Sequence, residues 1–424
     1  MLTKYTLIRN SILNLSGYII PTLAAIPALG YMARDLGPEL FGIYTLAMAL
    51  VGYASVFDFG LTRAIIREIA IYRDDIVEKR KIISTSTVFL TVIGFVVTVL
   101  IFINVNTIVT FINVSKNNFE DANIALKMLS LSIPLLLLNQ LWVSVFEGEE
   151  KFGLINIQKT ISNTCIVALP AVCILIENSL AYAVSGLVIG RVISLILSFL
   201  FLRKEIVASG IRFHTIVMKR LIMFGSWMTF SNIISPMMVY FDRFIISNIL
   251  GAKNVGFYTA PAEIISRMSI IPTSVSRALF PRLSNMGDFK KFKYELLFSY
   301  AIMISICVPI VLLLLLFSGK IMYYWLGPQY FLKSSSIFSV LLIGFFFNSL
   351  AQLPFSAIQS LGNSKITALL HGFEIIPYLI ILYILTIHFG IVGTAYAWTL
   401  RVMFDFIALY FLSSWLIKKE TLKR

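Results

Sequence analysis

A decapeptide occurs twice in this chain, and no other feature limits the fold as tightly. Leu36–Thr45 reads LGPELFGIYT and Leu250–Thr259 reads LGAKNVGFYT, with Leu, Gly, Gly, Tyr and Thr at matching places. The shift from Gly37 to Gly251 is 214 residues, about half of the 424-residue chain. The same shift carries Thr62-Arg63-Ala64 onto Ser276-Arg277-Ala278, and Gly148 with Lys151 onto Gly362 with Lys365. A constant offset across three landmarks predicts two homologous halves. Such a repeat constrains the whole architecture before any single element does.

Each half is built from apolar blocks long enough to cross a bilayer. Hydrophobic residues make up 58% of the chain and charged residues 13%, about half the charged share of a soluble domain. Spanning needs about 20 predominantly apolar residues. Twelve segments qualify, at roughly 10–33, 38–62, 82–105, 124–146, 160–177, 180–202, 221–249, 256–280, 294–318, 335–358, 366–388 and 391–416. The fold expected is therefore an all-α integral membrane protein with 12 transmembrane helices. Six per half is an even number, so both halves enter the membrane the same way up. The repeats are then parallel and related by an axis along the membrane normal. The domains expected are an N-terminal six-helix bundle at 1–202, a cytoplasmic connecting loop at 203–220 and a C-terminal six-helix bundle at 221–424. The basic residues Lys4 and Arg9 precede a long apolar run, as in a signal peptide. That run is too long for one and belongs to the repeat, so it is expected to stay as the first helix.

Lys and Arg set the orientation. With the N-terminus in the cytoplasm, the loops and tails on that side hold 25 Lys and Arg, against five on the other. Positive charge collects on the cytoplasmic side, so both termini are expected there. The same distribution explains the +14 net charge without a nucleic-acid partner.

Catalytic motifs are missing. There is no P-loop, no phosphate cradle after a strand and no Cys/His metal spacing, so no enzyme activity, cofactor or metal is expected. Cys165, Cys173 and Cys307 lie in apolar runs as small packing residues. His214, His371 and His388 are scattered. What stands out is charge inside the membrane, at Asp58, Arg191, Asp242, Arg243, Glu263, Arg267, Glu374, Arg401 and Asp405. Such residues face a cavity or a partner. Arg191, Arg267 and Arg401 each lie ten or eleven residues from the outer start of their helix. That is roughly 15 Å deep, near the middle of a core about 30 Å thick. Arg191 and Arg401 occupy matching places, in GRV and LRV. The functional reading is an arginine-lined cavity for an anion such as phosphate or pyrophosphate, with Arg191, Arg243, Arg267 and Arg401 on the substrate. Asp58, Asp242, Glu263, Glu374 and Asp405 are then ion-coupling or gating candidates. The alternative is structural. Glu263–Arg267 and Arg401–Asp405 are spaced i,i+4 and can close within one helix. Asp242 and Arg243 can join the first of these pairs as a hairpin clamp. Asp58 can pair with Arg63 or cap nearby backbone. Arg191 has no carboxylate within a turn.

LG…FGIY after the first helix, FDFGL–R–REIA at Phe57–Ala70 and DRFIISNILG at Asp242–Gly251 resemble the polysaccharide-exporter branch of the MOP superfamily. Within it the chain is similar to Wzx-type O-antigen flippases. The resemblance implies an inner-membrane carrier with a MATE-like fold. Its substrate would be undecaprenyl-pyrophosphate-linked oligosaccharide, moved from the cytoplasmic to the periplasmic leaflet as two bundles rock around a cationic cavity. Lipid and, as candidate coupling ions, H+ or Na+ would be its other partners. Peptidoglycan-precursor flippases carry two further helices, and helix 1 here holds no arginine within its span, which weakens lipid II as the substrate. The rival transporter is a MATE multidrug exporter, which would prefer acidic cavity residues. The rival enzyme is an O-antigen polymerase or ligase, which would carry a large periplasmic loop.

Overall fold

The computed structural model describes residues 2–284 and 288–422. Among them the regular structure is helical throughout, with no strand. The chain divides into two compact units, Met1–Gly256 and Phe257–Arg424.

The first unit opens with α1 (Leu2–Ala54) and a 3-10 turn at Ser55–Asp58, followed by α2 (Leu61–Ile71), α3 (Ile76–Ile103) and α4 (Val105–Phe111). It continues through α5 (Phe119–Ser130), α6 (Ile133–Gly148), α7 (Phe152–Ile174), α8 (Leu180–Ser209) and α9 (Thr215–Leu250). Polar side chains start the helices where the sequence supplies them. Asp75 Oδ1 accepts from the backbone N–H of Val77 and Glu78 at 3.0 Å, and Ser179 Oγ accepts from Tyr182 N–H at 3.3 Å. Such bonds satisfy donors that have no partner within the helix.

The duplicated decapeptides share a backbone conformation. Gly37 interrupts α1 at φ 72°, ψ 173°, and Gly251 separates α9 from α10 (Ala252–Met268) at φ 89°, ψ 155°. Only glycine takes this region without steric cost. Their second glycines approach backbone reciprocally. A Cβ on Gly42 would overlap the Ala252 carbonyl oxygen, and one on Gly256 would overlap the Pro38 carbonyl oxygen. Pro38 and Ala252 are themselves 214 residues apart. Matched positions therefore meet matched positions, as a local two-fold requires.

In the second unit α10 leads to α11 (Ile270–Ser284), α12 (Phe289–Leu326), α13 (Phe331–Ser360) and α14 (Ser364–Leu422). Asp288 Oδ1 caps α12 through Lys290 N–H at 2.8 Å. α14 is broken by non-helical Gly390. Ala351 and Ile358 pack with Leu409 and Leu416 to form a core between α13 and the end of α14.

Burial shows the solvent these helices were selected for. On α3 the buried positions include Ser84, Thr85, Ser86, Gly94 and Thr98, while Phe95, Val99, Leu100 and Ile103 are more than half exposed. Small and polar residues inside with large apolar residues outside is the pattern of a helix packed in lipid. Eight helical stretches among the described residues are long and apolar enough to cross a membrane. This is a multi-pass membrane protein.

Two boundaries differ from the sequence expectation. The 203–220 segment is mostly helix, because α8 runs to Ser209 and α9 starts at Thr215. The few residues between are pinned to α3. Ser84 Oγ exchanges 2.6 Å hydrogen bonds with the Arg212 carbonyl and N–H, and His214 N–H donates to Thr85 Oγ1 at 3.1 Å. α9 also belongs to the first compact unit. Arg220 Nε lies 2.5 Å from Glu68 Oε2, and its guanidinium covers the Tyr72 ring at 4.7 Å.

Candidate substrate and ion sites

Two of the four membrane arginines lie in the first unit. Arg191, midway along α8, is 7% exposed. Its Nη1 donates to Ser132 Oγ at 3.0 Å, at the bend between α5 and α6, while its Nε is buried with no hydrogen-bond partner among the described residues. No ion pair to Arg191 occurs among those residues. Arg243 lies on α9. Its backbone N–H donates to Asp242 Oδ1 at 2.7 Å, and its guanidinium covers the Tyr240 ring at 5.3 Å. Asp58 Oδ1 accepts from Gly60 N–H at 2.7 Å, so this carboxylate folds back on its own turn.

The other two arginines lie in the second unit. Arg267 Nη2 sits 3.7 Å from Glu263 Oε2 across one turn of α10, the intrahelical pair allowed by the spacing. Arg401 pairs differently from its spacing. Its Nε is 3.9 Å from Glu374 Oε2, and its guanidinium covers the Tyr378 ring at 5.4 Å. Asp405 instead faces His371, with Nε2 to Oδ1 at 3.4 Å, and the imidazole stacks on Phe355 at 5.8 Å between centroids. The break at Gly390 makes this possible by folding the two limbs of α14 so that 371–378 meets 401–405. At the 214-residue shift Arg191 falls on Asp405; Arg401 is one helical turn earlier.

His371, Glu374, Arg401 and Asp405 form a charge cluster whose two acids are buried, and the ligand atoms of the first, second and fourth lie within 4.8 Å of one another. Arg401 neutralises one carboxylate. The second carboxylate and the imidazole can share a proton or, with Glu374, accept a cation. The two acids and the arginine stand out in the sequence, whereas His371 does not, because a partner 34 residues away is invisible without the fold of α14.

Lysines distant in sequence also converge, which the loop count could not show. Lys290, Lys293 and Lys418 surround a cavity of about 490 Å³ in the second unit, together with Tyr300 and Tyr410. Tyr300 Oη is buried without a hydrogen-bond partner among the described residues.

Residues 7–287 match the family described as polysaccharide biosynthesis protein. The chain belongs to this family. It is 52% identical over 407 residues to a Shigella flexneri member named "Putative O-antigen transporter", covering 96% of this chain and 97% of that one. Among solved structures it is similar to an inward-facing multidrug resistance MATE family transporter of the MOP superfamily. There the TM-score is 0.77 at 16% identity, covering 96% of this chain and 98% of that one. It is also similar to the lipid II flippase MurJ in an inward closed conformation, with TM-score 0.71 at 18% identity, covering 98% and 93%. At these identities the two structures show the fold alone, and it is the all-α MATE-like fold expected from the sequence. The family matches the resemblance carried by the motifs, and its relatives are named for transport rather than catalysis.

Proposed function

We propose that this chain is a flippase moving undecaprenyl-pyrophosphate-linked O-antigen repeat units, or those of another surface polysaccharide, from the cytoplasmic to the periplasmic leaflet. The observation that carries the proposal is the 52% identity, along nearly the whole chain, to the Shigella protein named as an O-antigen transporter. In this reading the protein lies in the inner membrane with both termini cytoplasmic, an orientation that the Lys and Arg distribution supports. Twelve crossings follow if the eight stretches are divided at Gly37 and Gly390 and joined by α9 and α10–α11.

In this proposal two six-helix bundles alternate access to the two leaflets. The buried guanidinium of Arg191 meets the diphosphate, with Arg243, Arg267 and Arg401 as further contacts. The basic cavity at Lys290, Lys293 and Lys418 receives the anion from the cytoplasmic side. The His371–Glu374–Asp405 cluster takes up the coupling ion, H+ or Na+, with Asp58, Asp242 and Glu263 as further candidates. The test uses a strain that makes a defined O-antigen but lacks its own transporter. Expression of this chain should restore surface O-antigen, and without it the lipid-linked unit should remain in the cytoplasmic leaflet. No restoration, with the chain folded in the membrane and drug susceptibility lowered, would favour the multidrug exporter.

A further inference from the structure

The first unit holds a second cavity that none of the four arginines lines. Its volume is about 530 Å³, inside the range of about 300–1,000 Å³ of small-molecule sites. Its walls are unusual for a chain that is 58% hydrophobic. Leu136, Val143 and Ile166 are the apolar lining residues, and no aromatic ring contributes. The rest is polar, including the side-chain amides of Asn139 and Gln140 from α6 and of Gln158 and Asn163 from α7. Polar side chains within a helical membrane protein are costly unless they bond a partner or line a hydrated cavity.

Helix packing accounts for part of this set. Gln158, 1% exposed, donates through Nε2 to Asn139 Oδ1 at 3.0 Å and to Ser198 Oγ at 3.0 Å. Ser198 Oγ donates in turn to Asn139 Oδ1 at 2.7 Å. These bonds tie α6, α7 and α8 together and occupy the Asn139 oxygen. They leave the Asn139 amide N–H groups without a bond among the described residues. The side chains of Gln140 and Asn163 make none there either. Ser162 Oγ also lines the cavity and is buried with no partner among those residues. Interhelical bonding therefore does not use up the polar groups of this wall.

The charges show what kind of ligand fits. Asp58 and Glu147 line the cavity, and so do Arg63 and Lys159. Lys159 Nζ closes on Glu147 Oε1 at 2.9 Å, and Asp58 is bonded to its own turn. Two acids and two bases cancel, so the cavity has no net charge to hold a diphosphate. Planar amides and hydroxyls, each able to donate and accept, complement a neutral ligand dense in hydroxyl groups.

We infer that this amide-lined cavity is a recognition site for the saccharide of the transported molecule, separate from the groups that meet its phosphates. The inference rests on the flippase reading for the source of the saccharide. Gln158 and Asn139 are pre-set by their mutual bonds, while Gln140, Asn163 and Ser162 bond the hydroxyls.

The test measures saturation-transfer NMR on the full-length purified protein. Its probe is the phosphate-free oligosaccharide released by mild acid from lipid-linked repeat units. Transporter-deficient cells supply that lipid whether or not this chain flips it. The wild type should saturate the oligosaccharide, and inorganic pyrophosphate should not displace it. Gln140→Leu with Asn163→Leu, which breaks no bond within the protein, should weaken binding at least tenfold. Asn163→Leu alone, at an exposed position, gives the same direction if the double variant folds poorly. No saturation of the wild type, equal binding by the variants, or displacement by pyrophosphate would each overturn the inference. Surface display is scored separately. Display without saccharide binding removes the site and leaves the flippase reading, whereas binding without display does the reverse.

Discussion

Arg191 concentrates the argument about substrate charge. A guanidinium has five N–H donors, and here a serine hydroxyl is the hydrogen-bond partner among the described residues. A buried cation so placed is completed by an anion or it is a structural strut, and the two can be separated. If it meets a diphosphate, Arg191→Ala should cut surface O-antigen by more than tenfold at unchanged folded protein. That is in line with the roughly 2–5 kcal/mol lost when one partner of a buried charge pair is truncated. Arg191→Lys should recover part of the display, because the charge remains while the fork is lost. A strut predicts less folded protein for Arg191→Ala and recovery of both readouts by Arg191→Gln. That Arg191 has no carboxylate within a helical turn was legible in the sequence. Ser132 was not, because 59 residues separate the two. The same limit hid His371 from Asp405, and it suggested a pairing of Arg401 with Asp405 that the fold replaces with Glu374.

Elements are where the duplicated decapeptide shows its physical content. Gly42 and Gly256 are small because each faces backbone, and a carbonyl cannot swing away as a side chain can. Gly42→Leu should therefore lower thermal stability by at least the about 1–3 kcal/mol of ordinary overpacking. Gly153→Ala, with open space around its Cβ, should change it little. Thermal unfolding in detergent compares the two, and equal stability would refute the close approach. At the turn after α6, Glu149 Oε1 and Oε2 sit 2.6 Å from Lys79 Nζ and 2.5 Å from Lys151 Nζ. Burial works against its ionised form, but the two ammonium groups prevail and hold its pKa below the ordinary value of 4.5. The resulting stability is fully present above that value and is lost as pH falls through the folded-state pKa. Glu149→Gln should destabilise the protein by about 1–3 kcal/mol at neutral pH. The difference from wild type should shrink in acid below pH 4.5. A constant difference across the titration would exclude the ion pairs as its source. Helical type was readable from apolar length, yet the ends were not, since α8 continues through charged residues to Ser209.

At the scale of the molecule, the paired halves were visible as a constant offset. The compact units were not, because α9 packs with the elements before it through bonds of long sequence separation. One group of these bonds bears on transport. Asn248 Nδ2 donates to the Phe111 carbonyl at 2.9 Å, Ala252 N–H to the Asn113 carbonyl at 3.3 Å, and Asn113 Nδ2 approaches the Asn248 carbonyl at 3.4 Å. They join the Asn-rich loop after α4 to the end of α9, beside the meeting decapeptides. In the proposed topology this is the periplasmic side, where the bundles must part for the cavity to open outward. Asn113 and Asn248 are both exposed, so cysteines there, in a background lacking Cys165, Cys173 and Cys307, are open to reagent. A short membrane-impermeant bismaleimide added to intact cells should join them and stop O-antigen display. Each single-cysteine variant should be labelled and stay active. Absence of labelling would overturn the orientation. Joined cysteines with normal display would show that these elements stay together throughout the transport cycle, and would remove this seam from the moving parts.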